Sequence, residues 1–322
     1  MKKLFSLMLL VSVLCVPAFS EGQTKTFTVA YMTPALHIPF WKDISDGIRQ
    51  EAEKVGVEII DSDSRLSAAT QLQNAQDLIT SGVDAIIISP TDSASCPPVL
   101  ELAEEANVPV IICDIGTDEG NYVSFIISNN YGGAYDAGKY LAQKMDAKGW
   151  KGGDVAVITI SLARQNGRDR TNGFKDAMAE AGSEVVGLLE CKDYTRSESM
   201  KLAQDLITAH PNLRGLFTEH DEANLGAMPA IETSGKQDEL VHVGFDGSPE
   251  TVEAIKEGKI GAAAMQQPVL MGREAFKATW KHLNGEMPEK EIVVPTILVT
   301  QENVYDIEDQ LENNVYPNEL KQ

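Results

Sequence analysis

Short runs of β-branched and other apolar residues alternate with longer amphipathic segments along almost the whole chain. The first such runs are Phe27 to Met32, Val57 to Ile60, Asp84 to Ser89 and Val108 to Cys113. Continuous apolar runs, as opposed to strict alternation, are typical of strands that helices cover on both faces of a sheet. The order strand, helix, strand predicts βαβ units with right-handed crossovers, and therefore a parallel sheet.

The alternation starts again after a run from Tyr122 to Ile127. Further strands are predicted at residues 154–158, 185–189, 215–218 and 241–245. This repetition indicates an α/β protein of two Rossmann-like, doubly wound lobes, because one large sheet would show a single series. The absence of a Gly/Ser-rich linker favours lobes that are joined by short hinge segments.

The C-terminal part complicates a division into two consecutive domains. A strand at 260–265, a helix at 272–283 and an extended run at 292–299 follow the second series. The acidic tail from Gln301 onward has only modest periodicity, and we expect its end at 317–322 to be frayed.

The charge of the chain argues against one class of partner. Among 322 residues, 48 are acidic and 27 are basic, which gives a formal net charge of −21. Such a surface repels nucleic acid and anionic membranes, so we expect no nucleic-acid partner. We interpret the acidic excess as a contribution to solubility.

The first twenty residues have the pattern of a cleavable signal peptide. Lys2 and Lys3 form a positive segment, and the apolar core from Leu4 to Val16 is short for a transmembrane helix. Ala18 and Ser20 place small residues at the two positions that a signal peptidase recognises. We therefore predict a signal peptide at 1–20 and an exported, periplasmic mature protein.

The cysteines give no disulfide framework. Cys15 raises the alternative of a lipoprotein, but Leu14 is large for the position before a lipidated cysteine. Cleavage after residue 20 leaves Cys96, Cys113 and Cys191, an odd number at wide spacings, although one bridge stays open. Cys113 ends a strand-like run and is interpreted as a small buried apolar side chain.

The sequence lacks the arrangements that carry catalysis or cofactor binding. No GxGxxG motif follows the first strand, and no GxxxxGK[ST] phosphate loop is present. Asp61-Ser62-Asp63 lacks the remaining ligands of a calcium loop, and no Cys/His spacing suggests zinc. We therefore expect no enzyme activity, no cofactor and no metal site.

Asp246 directly follows the predicted strand Val241 to Phe245, and Ser248 and Pro249 then have the pattern of a helix N-cap and first helical residue. Ligands of open α/β sheets bind at the carboxyl ends of the strands, where Asp246 lies. By itself Asp246 is equally compatible with a role in bracing the turn.

Other aromatic and polar residues follow strands or begin helices in the same way: Phe40, Trp41, Asp114, Arg170 and His220. Aromatic rings stack on the C–H face of a sugar, carboxylates accept hydrogen bonds from paired hydroxyls, and a guanidinium donates to oxygens. This combination favours a neutral polyhydroxylated ligand.

Six stretches, taken together and in order, closely resemble the periplasmic sugar-binding proteins of the ribose-binding type, which serve ABC importers. They are Pro39–Trp41 with Asp46-Gly47, Ser89–Ser93, Arg168–Phe174, Thr208–Pro211, Asp221–Ala227 and Val243–Pro249. The resemblance covers nearly all of the mature chain. It implies the type I periplasmic binding protein fold, in which two Rossmann-like lobes close on the ligand about a three-segment hinge.

The resemblance also implies a division of the chain. The hinge crossings carry over to the regions of Ser128-Asn129, Gln266-Gln267 and Thr296-Ile297. The N-terminal lobe would then comprise 25–128 plus 267–296, and the C-terminal lobe 129–266 plus 297–322.

Carried over residue by residue, the resemblance gives ligand-binding roles to His37, Phe40, Trp41, Asp114, Arg170, Tyr194, His220, Phe245, Asp246 and Gln266. The chain departs from ribose binders in three places. It has Ile115 in place of an arginine, His220 in place of an asparagine, and His37-Ile38 in place of Asn-Asn. These departures favour a ligand other than ribose.

We therefore expect the substrate-binding component of an ABC transporter, which binds a small neutral monosaccharide or polyol between its lobes and delivers it to a membrane permease as a monomer. One alternative is a module of the same fold that presents a quorum-sensing signal or an attractant to a chemoreceptor. Another is an exported enzyme acting on a small carbohydrate, with His37 and His220 near acidic residues. A repressor of the LacI type is disfavoured, because a signal peptide stands where a helix-turn-helix would lie.

Overall fold

The computed structural model describes residues 27–316. The predicted signal peptide at 1–20 and the predicted frayed end at 317–322 lie outside the described residues. The chain first alternates between β1 Thr28–Thr33, α1 Pro39–Val55, β2 Glu58–Asp63, α2 Ala68–Ser81, β3 Ala85–Ile88, α3 Pro97–Glu105, β4 Val110–Cys113 and β5 Ser124–Ser128.

The alternation continues through α4 Asn130–Ala147, β6 Val155–Thr159, α5 Gln165–Glu180, β7 Val185–Glu190, α6 Arg196–Ala209, β8 Gly215–Thr218, α7 Asp221–Thr233, β9 Val241–Phe245, α8 Pro249–Lys256 and β10 Ala262–Met265. The last elements are α9 Pro268–Leu283, β11 Glu291–Val294, β12 Ile297–Thr300 and α10 Glu308–Asn314.

These strands form two sheets with matching topology. The first has the order β11-β5-β4-β3-β1-β2 and is parallel throughout, whereas the second has the order β12-β10-β9-β8-β6-β7. In the second sheet β12 runs antiparallel to β10, and the other neighbouring strands are parallel. We call the first sheet with α1, α2, α3 and α9 the N-terminal lobe, and the second sheet with α4 to α8 and α10 the C-terminal lobe. The predicted fold class, α/β with two doubly wound sheets, is confirmed.

Helices cover both faces of each sheet, which explains the continuous apolar runs. Along β1, Val29 and Tyr31 pack toward α1 and α9, whereas Ala30 and Met32 pack toward α2 and α3. Each of these residues is completely buried. Full burial of a large apolar side chain stabilises the fold by roughly 1.5–3 kcal/mol, so the strands are fixed by both layers.

Helices α1 and α9 approach each other at two glycines. A Cβ atom on Gly47 would lie 2.1 Å from the carbonyl oxygen of Val269, and one on Gly272 would lie 2.1 Å from that of Ile44. These distances exclude any side chain, so glycine is required at both positions. The close packing attaches a helix from late in the sequence to the first helix of the chain.

Three predicted elements differ in detail from the structure. The extended run at 292–299 is divided into β11 and β12 by Pro295 and Thr296, because proline has no N–H for a sheet ladder. The helix predicted at 272–283 begins earlier, at Pro268. The tail, which has weak periodicity, forms helix α10 and buries Leu311.

The turn after β9 has the predicted form. Ser248 is the N-cap of α8, its hydroxyl accepts a hydrogen bond from the N–H of Thr251, and Pro249 is the first helical residue. The three cysteines of the described chain are buried and free. Within residues 27–316, no helix has the length and apolarity that crossing a membrane requires.

Candidate ligand-binding site

A cavity of about 400 Å³ lies where the carboxyl ends of the strands of both sheets meet. Its size is within the usual range for small-molecule sites. Nine of the ten residues predicted to bind ligand line it: His37, Phe40, Trp41, Asp114, Arg170, Tyr194, His220, Asp246 and Gln266. Phe245 is not among the lining residues.

The N-terminal lobe contributes aromatic rings and one carboxylate. Phe40 and Trp41 lie in the first turn of α1, with ring centroids 6.2 Å apart and planes at 77°. The indole N–H of Trp41 donates to Oδ2 of Asp114, at 3.4 Å. This contact holds the Trp41 ring and the carboxylate of Asp114 together on one wall of the cavity.

Asp114 follows β4 with a positive φ of 72°, and its N–H donates to the carbonyl of Ile126. Burial raises the pKa of its carboxyl to about 6; Arg170 opposes this rise and Asp246 adds to it. Its Oδ1 atom is buried and has no hydrogen-bond partner among the described residues. A buried acceptor of this kind is costly unless a ligand satisfies it.

Asp246 occupies the corresponding place after β9, with a φ of 65°. Its Oδ1 accepts from Nε2 of Gln266, at 2.6 Å, and lies 3.4 Å from a guanidinium nitrogen of Arg170. Burial raises the pKa of Asp246, while Arg170 and Gln266 oppose the rise. Gln266 also has a buried Oε1 without a partner in the described chain.

Arg170 is 2 % exposed and is held from several directions. Its Nε donates to Oδ1 of Asn130, at 2.9 Å, and a terminal nitrogen donates to the carbonyl oxygen of Glu219, at 2.5 Å. Its guanidinium lies 4.0 Å from the centroid of the Phe245 ring. Phe245 therefore packs against Arg170 and is not among the residues that line the cavity.

His220 and Tyr194 form the wall on the side of the C-terminal lobe. Their rings meet edge to face at 5.4 Å. Burial, together with the positive charges of Arg170 and Arg164, lowers the pKa of His220 to about 3, so the imidazole is neutral near pH 7. Tyr194 has a φ of 53°, and its hydroxyl accepts from the N–H of Ser161. His37 is exposed, at the edge of the cavity.

Arg164 and Asn166 are among the further lining residues that were not predicted from the sequence. Both lie at the start of α5, whose first turn contains no large apolar residue that would mark it as helical. Arg164 is the N-cap residue of this helix and is 9 % exposed. A buried arginine before a helix has no distinguishing sequence pattern, so periodicity does not reveal it.

A buried carboxyl, Glu219, lies behind the cavity wall. It accepts hydrogen bonds from the hydroxyls of Thr159 and Thr171, at 2.8 and 2.7 Å, and from the N–H of Ile160. Burial raises the pKa of Glu219 to about 7, although these hydrogen bonds act to lower it. Glu219 thus joins β6, α5 and β8 beneath the site.

Taken together, the lining residues provide acceptors, donors and ring faces for a small hydroxylated molecule. Among residues 27–316, no group of three or more His, Cys, Asp or Glu side chains is arranged to hold a metal ion.

Comparisons with known proteins agree with this geometry. The family model described as periplasmic binding protein domain matches residues 29–287. The chain is 34% identical over 275 residues to the ribose import binding protein of Escherichia coli (strain K12), covering 85% of this chain and 91% of that protein. It is 32% identical over 312 residues to the ribose import binding protein of Bacillus subtilis (strain 168), covering 94% and 100%.

Solved structures show the same fold. A solute-binding protein of an ABC transporter from Bacillus halodurans C-125, with bound myo-inositol, superimposes with a TM-score of 0.80 at 27% identity, covering 90% of this chain and 99% of that one. A carbohydrate transporter solute-binding protein from Agrobacterium radiobacter, in complex with D-arabinose, superimposes with a TM-score of 0.83 at 25% identity. The match covers 90% of this chain and 100% of that one. The resemblance inferred from the sequence is confirmed: the chain belongs to the periplasmic binding protein family, as a solute-binding protein of sugar ABC transporters of the ribose-binding type.

Proposed function

We propose that this protein binds a small neutral monosaccharide or polyol in the cavity between its lobes and delivers it, as a periplasmic monomer, to the permease of an ABC importer. One observation carries the proposal. Two carboxylates, that of the buried Asp114 and that of the partly buried Asp246, follow corresponding strands of the two sheets and line one cavity together with two buried guanidiniums, those of Arg164 and Arg170.

The charge balance supports a neutral ligand. The two guanidiniums match the two carboxylates in number, and further acidic residues line the cavity: Asp43, Asp193, Asp221 and Glu222. The cavity lining therefore carries no excess of positive charge that would attract an anionic ligand. Hydroxyl groups satisfy the buried acceptors of Asp114 and Gln266 without adding charge.

Within this proposal, Phe40 and Trp41 hold the apolar face of the ligand, and Asp114, Arg170, Asp246 and Gln266 hold its hydroxyls. His37, Tyr194 and His220 complete the wall, while Phe245 acts through Arg170. The departures from ribose binders at Ile115 and His220 favour a ligand other than ribose.

We further propose that the lobes move about three crossings, which divide the chain into 25–128 plus 267–296 and 129–266 plus 297–322. The ends of β5 and β10 and the Pro295-Thr296 break between β11 and β12 support these positions. The lobes touch across the cavity, where Nε of Arg164 donates to the carbonyl of Thr91 at 3.1 Å and the N–H of Gln165 donates to Oγ of Ser93 at 3.3 Å. A ligand that contacts both lobes stabilises this closed arrangement by its differential affinity.

Relatives support the ligand class. The names of two relatives specify ribose import, and structural neighbours at 25% identity or more hold myo-inositol, glycerol and D-arabinose. None of these names or ligands points to a chemoreceptor partner or a signal molecule.

A thermal-shift screen tests the proposal. The screen compares furanone signal molecules with pentoses, hexoses, deoxysugars, cyclitols and linear polyols. Each compound that binds is recovered after incubation with the protein, and we expect it to be chemically unchanged. A ligand at a hundred times its Kd stabilises the native state by about 2.7 kcal/mol, which is easily measured. A shift with furanones alone, or with no sugar or polyol, would contradict the proposed ligand class.

A further inference from the structure

We infer that Arg164 is a specificity-determining residue of the site, which binds an oxygen of the sugar or polyol only when the lobes are closed. The inference rests on the proposed function, because it concerns the same cavity. Arg164 lies in the turn before α5 and provides the second guanidinium of the site. In the closed state this guanidinium has two partners at once, the carbonyl of Thr91 and an oxygen of the ligand.

The surroundings of Arg164 support a ligand contact. Its Nε is bonded to the carbonyl of Thr91, but its two terminal nitrogens have no hydrogen-bond partner anywhere in residues 27–316. The residue lines the cavity and is 9 % exposed. Arginine has five N–H donors in a fixed planar fork, so the terminal nitrogens of Arg164 remain able to donate to a ligand oxygen in the cavity.

Aromatic rings from both lobes fix the orientation of this guanidinium. It lies 5.8 Å from the centroid of the Trp41 ring and 5.1 Å from that of Tyr194. The hydroxyl of Tyr194 in turn accepts the N–H of Ser161, which holds the turn that carries Arg164. The free donors of Arg164 are therefore pre-positioned beside the ring on which the ligand is proposed to stack.

The bond to Thr91 couples Arg164 to closure. Thr91 belongs to the N-terminal lobe and Arg164 to the C-terminal lobe, so separation of the lobes breaks this bond. Arg164 also replaces a charged donor near Asp114, since the residue after Asp114 is Ile115, which is completely buried in the apolar core. When the lobes are closed, the guanidinium of Arg164 therefore contacts Thr91, the ligand and the Trp41 ring at the same time.

The test compares Arg164→Ala and Arg164→Lys with Arg168→Ala. Arg168 is exposed, lies one helical turn further along α5 and supports the same turn through the carbonyl of Leu162, so it controls for simple loosening of the turn. Calorimetry measures the Kd for D-ribose, D-allose, D-arabinose, myo-inositol and the monodeoxy analogues of each. Stopped-flow fluorescence separates association from dissociation.

We expect Arg164→Ala to weaken binding roughly 10- to 100-fold, the range for a charge-assisted hydrogen bond, mainly through faster dissociation. Arg164→Lys, which keeps the charge without the fork, is expected to lose less, and Arg168→Ala to stay within about twofold. For one monodeoxy analogue, the loss caused by Arg164→Ala should disappear, because the oxygen that Arg164 binds is already absent.

If Arg164→Ala reduced the affinity equally for all analogues, Arg164 would only hold the lobes together without binding a ligand oxygen. That result would overturn the inference. Unchanged binding by Arg164→Ala would overturn it as well. If no compound bound the unaltered protein, the proposed function itself would fail and the inference with it. Should Arg164→Ala fold poorly, the same comparison of analogues with Arg164→Lys decides.

Discussion

Asp114 and Asp246 occupy equivalent positions in the two sheets. Each follows the strand that is third from the edge formed by β11 or β12. Each has a positive φ, of 72° and 65°, and donates its N–H to the neighbouring strand, to Ile126 and Ala264 respectively. A left-handed backbone costs a non-glycine residue on the order of 1 kcal/mol or more. The fold therefore stores strain at two matching points, and both carry a carboxylate of the cavity.

Asp246→Asn should weaken binding of the cognate sugar or polyol tenfold or more. The change keeps the size of the side chain but removes the negative charge beside Arg170 and its charge-assisted hydrogen bonds, each of which contributes roughly 1.5–3 kcal/mol. Calorimetry measures the effect. Asp205→Asn, at an exposed residue that pairs with Lys201 on the same helix, is the matched control; equal affinities for both variants would remove Asp246 from the site.

Trp41→Phe should abolish most of the change in tryptophan fluorescence that accompanies binding. Trp41 lines the cavity, whereas Trp280 packs against Phe27 and Phe276, and Trp150 lies beside Arg214. The substitution keeps a ring for stacking but removes the N–H that donates to Asp114, so a several-fold loss of affinity is also expected. A full fluorescence change in this variant would place the ligand away from Trp41.

Affinity should fall below about pH 6. Burial raises the pKa of Asp114 to about 6, and ligand hydroxyls donate to the ionised form. Binding therefore competes with protonation, and at pH 5 the affinity should be roughly tenfold lower than at pH 7.5. Calorimetry at both pH values measures this ratio. Asp114→Asn should bind weakly at both, and an unchanged ratio in that variant would assign the effect to another group.

Glu219→Gln should change how stability depends on pH. The folded-state pKa of Glu219 is raised to about 7 from an ordinary value of 4.5, so the folded state retains a proton that the unfolded state loses. The retained proton contributes on the order of 3 kcal/mol to the free energy of unfolding. This stabilisation is fully present below pH 4.5 and is lost as the pH rises to about 7. Urea unfolding at pH 5 and pH 7.5 should therefore show stability falling more steeply for the unaltered protein than for the variant. Parallel pH profiles would contradict the raised pKa.

Much of this architecture can be predicted from the sequence, because buried parallel strands require continuous apolar runs. The carboxylates at strand ends could be found in the same way, since Asp114 and Asp246 each end such a run. Periodicity could not find Arg164, which precedes a polar first turn, or helix α10, whose apolar residues are few. It also could not show that Phe245 supports Arg170, because this depends on which side of the strand end faces the cavity.

The packing of α1 against α9 has a consequence for folding. Gln50 and Arg273, which hydrogen-bond across these helices, are 223 residues apart in sequence. The N-terminal lobe therefore cannot complete its own core until almost the whole chain has been synthesised, and contacts of such long range slow folding. A fragment that ends after β10 would leave one face of the first sheet without its second helix. Truncation from the C-terminal end therefore damages both lobes, and neither can be obtained simply by cutting the chain in the middle.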